Sequence, residues 1–136
     1  MPVETGAGPN EIEEAKRRGY QRGLNLGLYW VALPCSLFSA GRSFYDVAAH
    51  FEVFRQVRVP IPGLTLLVID YHYYVAGALL LGAAGCGYAT RAWAHERRTT
   101  YLNGAMIFLS LGWLALFTLA LQAPMMLILQ GLGQHR

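Results

Sequence analysis

The chain has 136 residues, of which 54% are hydrophobic and only 14% are charged. A soluble domain usually carries about a quarter charged residues, and the charges here fall between long apolar runs. The composition therefore excludes an ordinary soluble core and predicts a single all-α integral membrane domain. The net charge of +3 does not indicate nucleic-acid binding, because the arginines flank the apolar runs, where they meet lipid headgroups.

The amino-terminal part predicts a tail followed by one long helix. Residues 1–9 contain prolines and glycines and are predicted to form a flexible tail. A helix is predicted over residues 10–41, because Asn10 and Glu13 have the spacing of a capping box. Its first part is amphipathic, and its second part, residues 24–40, is apolar but near the lower limit of about 17 residues for a span.

The connection over residues 42–63 is too polar to be predicted as a span. Aromatic and aliphatic residues recur at helical spacing from Phe44 to Phe54, and polar residues occupy the other faces. This pattern predicts a short amphipathic helix that lies in the exterior interface of the membrane. The sequence VPIPG at residues 59–63 is expected to end it.

Two further transmembrane helices are predicted, at residues 64–89 and within residues 101–136, which also include a short tail. Residues 90–100 form a basic loop between them. Most of the lysine and arginine falls on the side that holds this loop and the amino terminus. The positive-inside rule therefore predicts a cytoplasmic amino terminus and an exterior or periplasmic carboxyl terminus.

Small residues in the second span predict a face that packs against another helix. Ala78, Gly82 and Cys86 are four residues apart, and Gly85 lies beside them. Small side chains allow the backbones of two membrane helices to approach closely. We therefore expect these four residues to form a helix-packing face.

Each predicted span also carries a polar residue in its exterior half, namely Ser36, Asp70 and Gln122. A carboxylate in hydrocarbon costs about 2.5–3.5 kcal/mol on insertion scales, so Asp70 needs a partner, a proton or water. One interpretation is a pocket open to the exterior that suits a quinone headgroup or a proton. The other is a hydrogen-bonded layer that fixes helix register, with Asp70 reaching Arg42 or Arg58.

His72 is the histidine that falls within a predicted span, where an imidazole can ligate haem or chlorophyll. A bis-histidine haem would need a second histidine at matching depth, and His50 is the candidate. The sequence has no CxxCH, Walker loop, GxSxG, HExxH or CxxC pair. It therefore predicts no catalytic residue, no metal site and no cofactor. The alternatives are haem or chlorophyll at His72, or a quinone bound by His72, Asp70 and Gln122.

The connection and the two later spans resemble one known family. In sequence order, the residues that carry the resemblance are Phe51, Phe54, Pro60, Pro62, Thr65, Pro124 and Gly131. An aromatic amphipathic stretch, a proline-bracketed turn and a span with a late proline are similar to the inner-membrane platform proteins of type II secretion and type IV pili. The resemblance implies a reduced platform protein, because the cytoplasmic helical domains of that family have no counterpart here.

These observations favour a non-catalytic accessory or scaffold subunit of a larger hetero-oligomeric complex in a membrane, expected to be the bacterial inner membrane. Its expected partners are other membrane subunits and lipid. Two alternatives stay open: a diverged platform-like protein of a secretion or pilus system, and a haem- or quinone-binding subunit of an electron-transport complex.

Overall fold

The computed structural model describes residues 8–57 and 63–133. Within these stretches the chain forms three helices: α1 (Pro9–Val57), α2 (Gly63–Ala92) and α3 (Arg97–Gly133). Each contains an 18-residue window that is apolar enough to cross a membrane, with mean hydropathies of 1.2, 1.5 and 2.1 in chain order. The prediction of an all-α fold with three such helices is confirmed.

The predicted boundary after residue 41 is wrong, because α1 continues without a break to Val57. The segment read as a separate interfacial helix is therefore the last part of α1. Polar groups at the start of this segment find partners within α1: Arg42 Nη2 lies 2.6 Å from Asp46 Oδ2, and Ser43 donates a hydrogen bond to the Ser39 carbonyl at 2.9 Å. The predicted proline-rich turn lies outside the described residues, except for Gly63.

The second helix runs antiparallel to α1. Near one end, Tyr29 lies against the backbone of Gly87. Towards the other end, the rings of Phe44 and Tyr73 are 5.4 Å apart between centroids. Because Tyr73 is about ten residues into α2, α1 must continue about ten residues beyond Phe44 to reach the level at which α2 begins. The continuous helix therefore gives the first span the length that residues 24–40 lack.

The third helix runs parallel to α1 and packs against both other helices. Its buried apolar contacts form two clusters. One cluster consists of Val47, Val68, Phe117, Ala120 and Leu121. The other consists of Ala32, Leu79, Cys86 and Met106. Alanines in these contacts allow the helices to approach closely, as is typical of packing in membranes.

Candidate functional site

A hydrogen-bonded network fastens the loop between α2 and α3 to α1. Its centre is Asn25, which is fully buried. The Asn25 amide nitrogen donates to the carbonyls of Ala94 at 2.8 Å and Glu96 at 3.1 Å, and Thr100 donates to Asn25 Oδ1 at 2.6 Å. Asn103 Nδ2 donates to the Asn25 carbonyl at 3.0 Å. One side chain on α1 therefore fixes both the loop and the start of α3.

The same network extends to α2 and towards the amino terminus. Asn103 Nδ2 also lies 3.1 Å from Thr90 Oγ1 on α2, and Gln21 donates to Thr100 Oγ1 at 2.6 Å. Asn103 is fully buried, and its Oδ1 has no hydrogen-bond partner among the described residues. All three helices thus meet through polar side chains at this end of the bundle.

A seam of hydroxyl groups joins α1 to α3 farther along the bundle. Ser36 Oγ and Ser110 Oγ are 2.9 Å apart, and Ser39 donates to the Ser110 carbonyl at 2.9 Å. The indole nitrogen of Trp113 donates to Ser43 Oγ at 2.8 Å. The three serines of α1 are buried, so these hydrogen bonds fix the register of two parallel helices.

His72 lies inside the bundle, with 4% of its surface exposed. Its Nδ1 is hydrogen-bonded to the carbonyl of Ile69. Its Nε2 is buried and has no hydrogen-bond partner among the described residues. Nearby, Thr65 connects α2 to α3 by donating to the Ala120 carbonyl at 2.7 Å.

The structure does not assemble the predicted layer of Ser36, Asp70 and Gln122. Ser36 is buried, whereas Asp70 and Gln122 are exposed. Ser36 is level with Ser110, and Gln122 follows Ser110 by about 18 Å along α3 at 1.5 Å per residue. The predicted depths were counted from a helix end near residue 41, and α1 continues beyond it. The three residues therefore do not line one pocket.

The four small residues predicted to form one packing face lie on two sides of α2. Cys86 is buried, with its Sγ 3.8 Å from the Leu102 carbonyl, and a Cβ on Gly82 would lie 2.8 Å from the Met106 sulfur. Ala78 and Gly85 are exposed. A four-residue spacing advances about 40° around a helix at each step. The series therefore turns from the surface at Ala78 into the bundle at Cys86.

An uncovered face of α2, which we call the Asp70 face, lies opposite the buried side of that helix. It contains Asp70, Tyr74, Gly77, Ala78, Leu81, Ala84, Gly85 and Tyr88. All of them are exposed except Gly77, which is half-buried. A Cβ added at Gly77 or Gly85 would meet nothing within 4 Å. The face thus combines a carboxylate, two tyrosines, several small residues and one exposed leucine, Leu81, between Gly77 and Gly85.

Comparisons with protein-family models, curated proteins and solved structures found no match to this chain. The resemblance to secretion and pilus platform proteins therefore stays a prediction.

Proposed function

We propose that the protein is a non-catalytic accessory subunit of a membrane complex and that it packs against a partner helix through the Asp70 face. The observation that carries the proposal is an exposed carboxylate, the one acidic side chain of α2, within a helix apolar enough to cross a membrane. In this proposal the protein stabilises its complex by helix packing and carries out no chemistry of its own.

Asp70 lies about 10 Å along α2 from Gly63, at 1.5 Å per residue. It forms no ion pair or hydrogen bond with another described side chain. Hydrocarbon around such a group disfavours insertion by about 2.5–3.5 kcal/mol. A neighbouring helix that offers a cation or a hydrogen-bond donor at this depth would remove much of that cost. Lipid tails offer neither.

The small residues of the Asp70 face support a helix as the occupant. Gly77 and Gly85 leave open space beside the α2 backbone, and close backbone approach favours association of membrane helices. The inner side of α2 uses small residues in the same way against α3, at Gly82 and Cys86. The partner is therefore expected to be a transmembrane helix with a donor or cation opposite Asp70.

The test is native mass spectrometry of the tagged protein after gentle extraction from its own membrane, with three variants. D70L removes the carboxylate, and G85L fills the open space at Gly85. G112L is the matched control, because Gly112 is an exposed glycine of α3 with open space around it. We expect D70L and G85L to lose the same co-purifying membrane subunit and G112L to keep it.

A wild-type protein that is extracted as a lone monomer would contradict the proposal. Equal loss of the partner in G85L and G112L would show that the Asp70 face is not the contact. A mass equal to two copies of this chain would mean that the protein associates with itself and not with a different subunit.

A haem- or quinone-binding subunit is the second candidate, favoured by the buried Nε2 of His72, which has no hydrogen-bond partner among the described residues. The absorption spectrum of the purified protein beside H72A tests the haem version. A haem band that disappears in H72A would support it. A colourless wild-type protein would end it.

A further inference from the structure

A groove of about 310 Å³ lies between α1 and α2 at the amino-terminal end of the bundle. Two arginines, Arg22 and Arg91, form its polar rim, and Leu26, Tyr29 and Gly87 line it deeper along the helices. Arg22 comes just before the apolar run of α1, and Arg91 comes at the end of α2. The groove therefore lies at the boundary between polar and apolar surface, the level of lipid headgroups.

The two rim arginines are free to bind an anion. Both are exposed, and neither pairs with a carboxylate of the described residues. Arg17 and Arg18, one to two turns earlier in α1, differ in this respect, because each is 3.0 Å from a glutamate four residues before it. Guanidinium groups bind phosphate oxygens with two parallel hydrogen bonds.

Thr90 also lines the groove. Its Oγ1 lies 3.1 Å from Asn103 Nδ2 and accepts that amide's proton. This bond uses the Thr90 oxygen as an acceptor and leaves its hydroxyl proton unused. Since Thr90 is 6% exposed and held by the Asn25 network, the donor is fixed in position.

The deeper part of the groove suits an acyl chain. Leu26 is 50% exposed and adjoins the exposed apolar side chains that follow it in α1. Gly87 keeps the groove open at the point where α1 approaches α2, since a Cβ there would lie 2.7 Å from the Tyr29 hydroxyl oxygen. Apolar surface below a cationic rim is the arrangement that an amphiphile with an anionic head complements.

We propose that this groove binds one anionic phospholipid, with its phosphate between Arg22 and Arg91 and an acyl chain along Leu26. Thr90 donates a further hydrogen bond to the phosphate. The site is separate from the Asp70 face and does not depend on a protein partner.

The experiment measures binding of phosphatidylglycerol and phosphatidylcholine to the delipidated full chain in detergent by native mass spectrometry. The test variant is R22Q/R91Q. The control R17Q/R98Q also removes two positive charges from this end of the bundle, but neither arginine lines the groove. A parallel arm adds inorganic phosphate as a competitor, and melting curves of each variant in detergent verify that it is folded.

Each arginine beside an anionic lipid corresponds to about a fivefold change in affinity. We therefore expect R22Q/R91Q to lose about 25-fold in affinity for phosphatidylglycerol, and R17Q/R98Q to change it less than about threefold. Phosphatidylcholine should bind more weakly than phosphatidylglycerol to the wild type, and inorganic phosphate should not displace the lipid.

Three results would overturn the proposal. Equal binding of the two lipids by the wild type would remove the anionic preference. An equal loss in both double variants would assign the attraction to general charge. Displacement by millimolar inorganic phosphate would identify the groove as a site for a free anion.

Discussion

Replacing Asn25 by alanine tests whether the polar network stabilises the bundle. The side chain makes three hydrogen bonds, to the carbonyls of Ala94 and Glu96 and from the Thr100 hydroxyl. Hydrogen bonds within membrane proteins average about 0.6 kcal/mol each. We therefore expect N25A to lower the free energy of unfolding by about 2 kcal/mol. The loss should appear in the loop first, because its carbonyls lose their link to α1.

The assay is equilibrium unfolding in mixed detergent micelles, combined with hydrogen exchange of the amides around residues 93–100. The matched control is Q122A, because Gln122 is an exposed amide with no hydrogen bond to a described residue. We expect the control to change the free energy of unfolding by less than about 0.5 kcal/mol. In N25A, the loop amides should exchange faster while those in the middle of α2 keep their rates.

A free energy of unfolding that is the same in N25A, Q122A and the wild type would contradict a stabilising role of the Asn25 side chain. So would loop amides of N25A that exchange at the wild-type rate. Either result would mean that helix packing alone holds the loop, and that the buried amide at Asn25 adds nothing measurable.

Two further variants test close packing and charge pairing, both by unfolding in micelles. G87A places a methyl group against the Tyr29 hydroxyl and should destabilise by about 1 kcal/mol or more, whereas G85A, in open space, should not; equal effects would contradict the close approach of α1 to α2. R42A leaves the carboxylate of Asp46, whose side chain is 11% exposed, without its partner, and should destabilise by about 1 kcal/mol. The double variant R42A/D46A should recover part of that loss, and an additive double variant would contradict the pairing.

The sequence was sufficient to predict the apolar helices, because hydropathy over about 20 residues reports directly on what lipid requires. The second span was predicted at residues 64–89 and occupies Gly63–Ala92. The third was predicted from residue 101, and α3 begins four residues earlier at Arg97. These boundaries follow from the local composition of each segment, and they can be predicted without knowing which helices pack against it.

The course of the first helix could not be predicted in this way. Asp46, His50 and Arg55 are polar and indicated an interfacial segment, since hydropathy treats each side chain as if it were alone. In the structure Asp46 is neutralised by the arginine one turn before it, and Ser43 both donates to Ser39 and accepts from Trp113. Local pairing makes a polar sequence compatible with a continuous helix, and a hydropathy average does not register pairing.

The Asn25 network was also missed, for a different reason. The Asn25 side chain forms three hydrogen bonds, and two of them are to backbone carbonyls 69 and 71 residues away in sequence. Every residue has a carbonyl, so no residue type marks these partners. The available signal was an asparagine within an apolar run of α1, together with Asn103 in α3. Buried amides in two spans predict a contact between them, although not which atoms make it.

Some polar side chains of the bundle form hydrogen bonds within the chain, and others have no partner among the described residues. The buried serines and Asn25 meet partners within the three helices, so they fix geometry. Asp70, Arg22 and Arg91 are exposed without such partners, so their free energy depends on what surrounds the protein. The carboxylate favours a protein helix and the arginines favour a phosphate. We therefore expect D70L to lose the partner subunit and to keep lipid binding. We expect R22Q/R91Q to lose lipid binding and to keep the partner subunit.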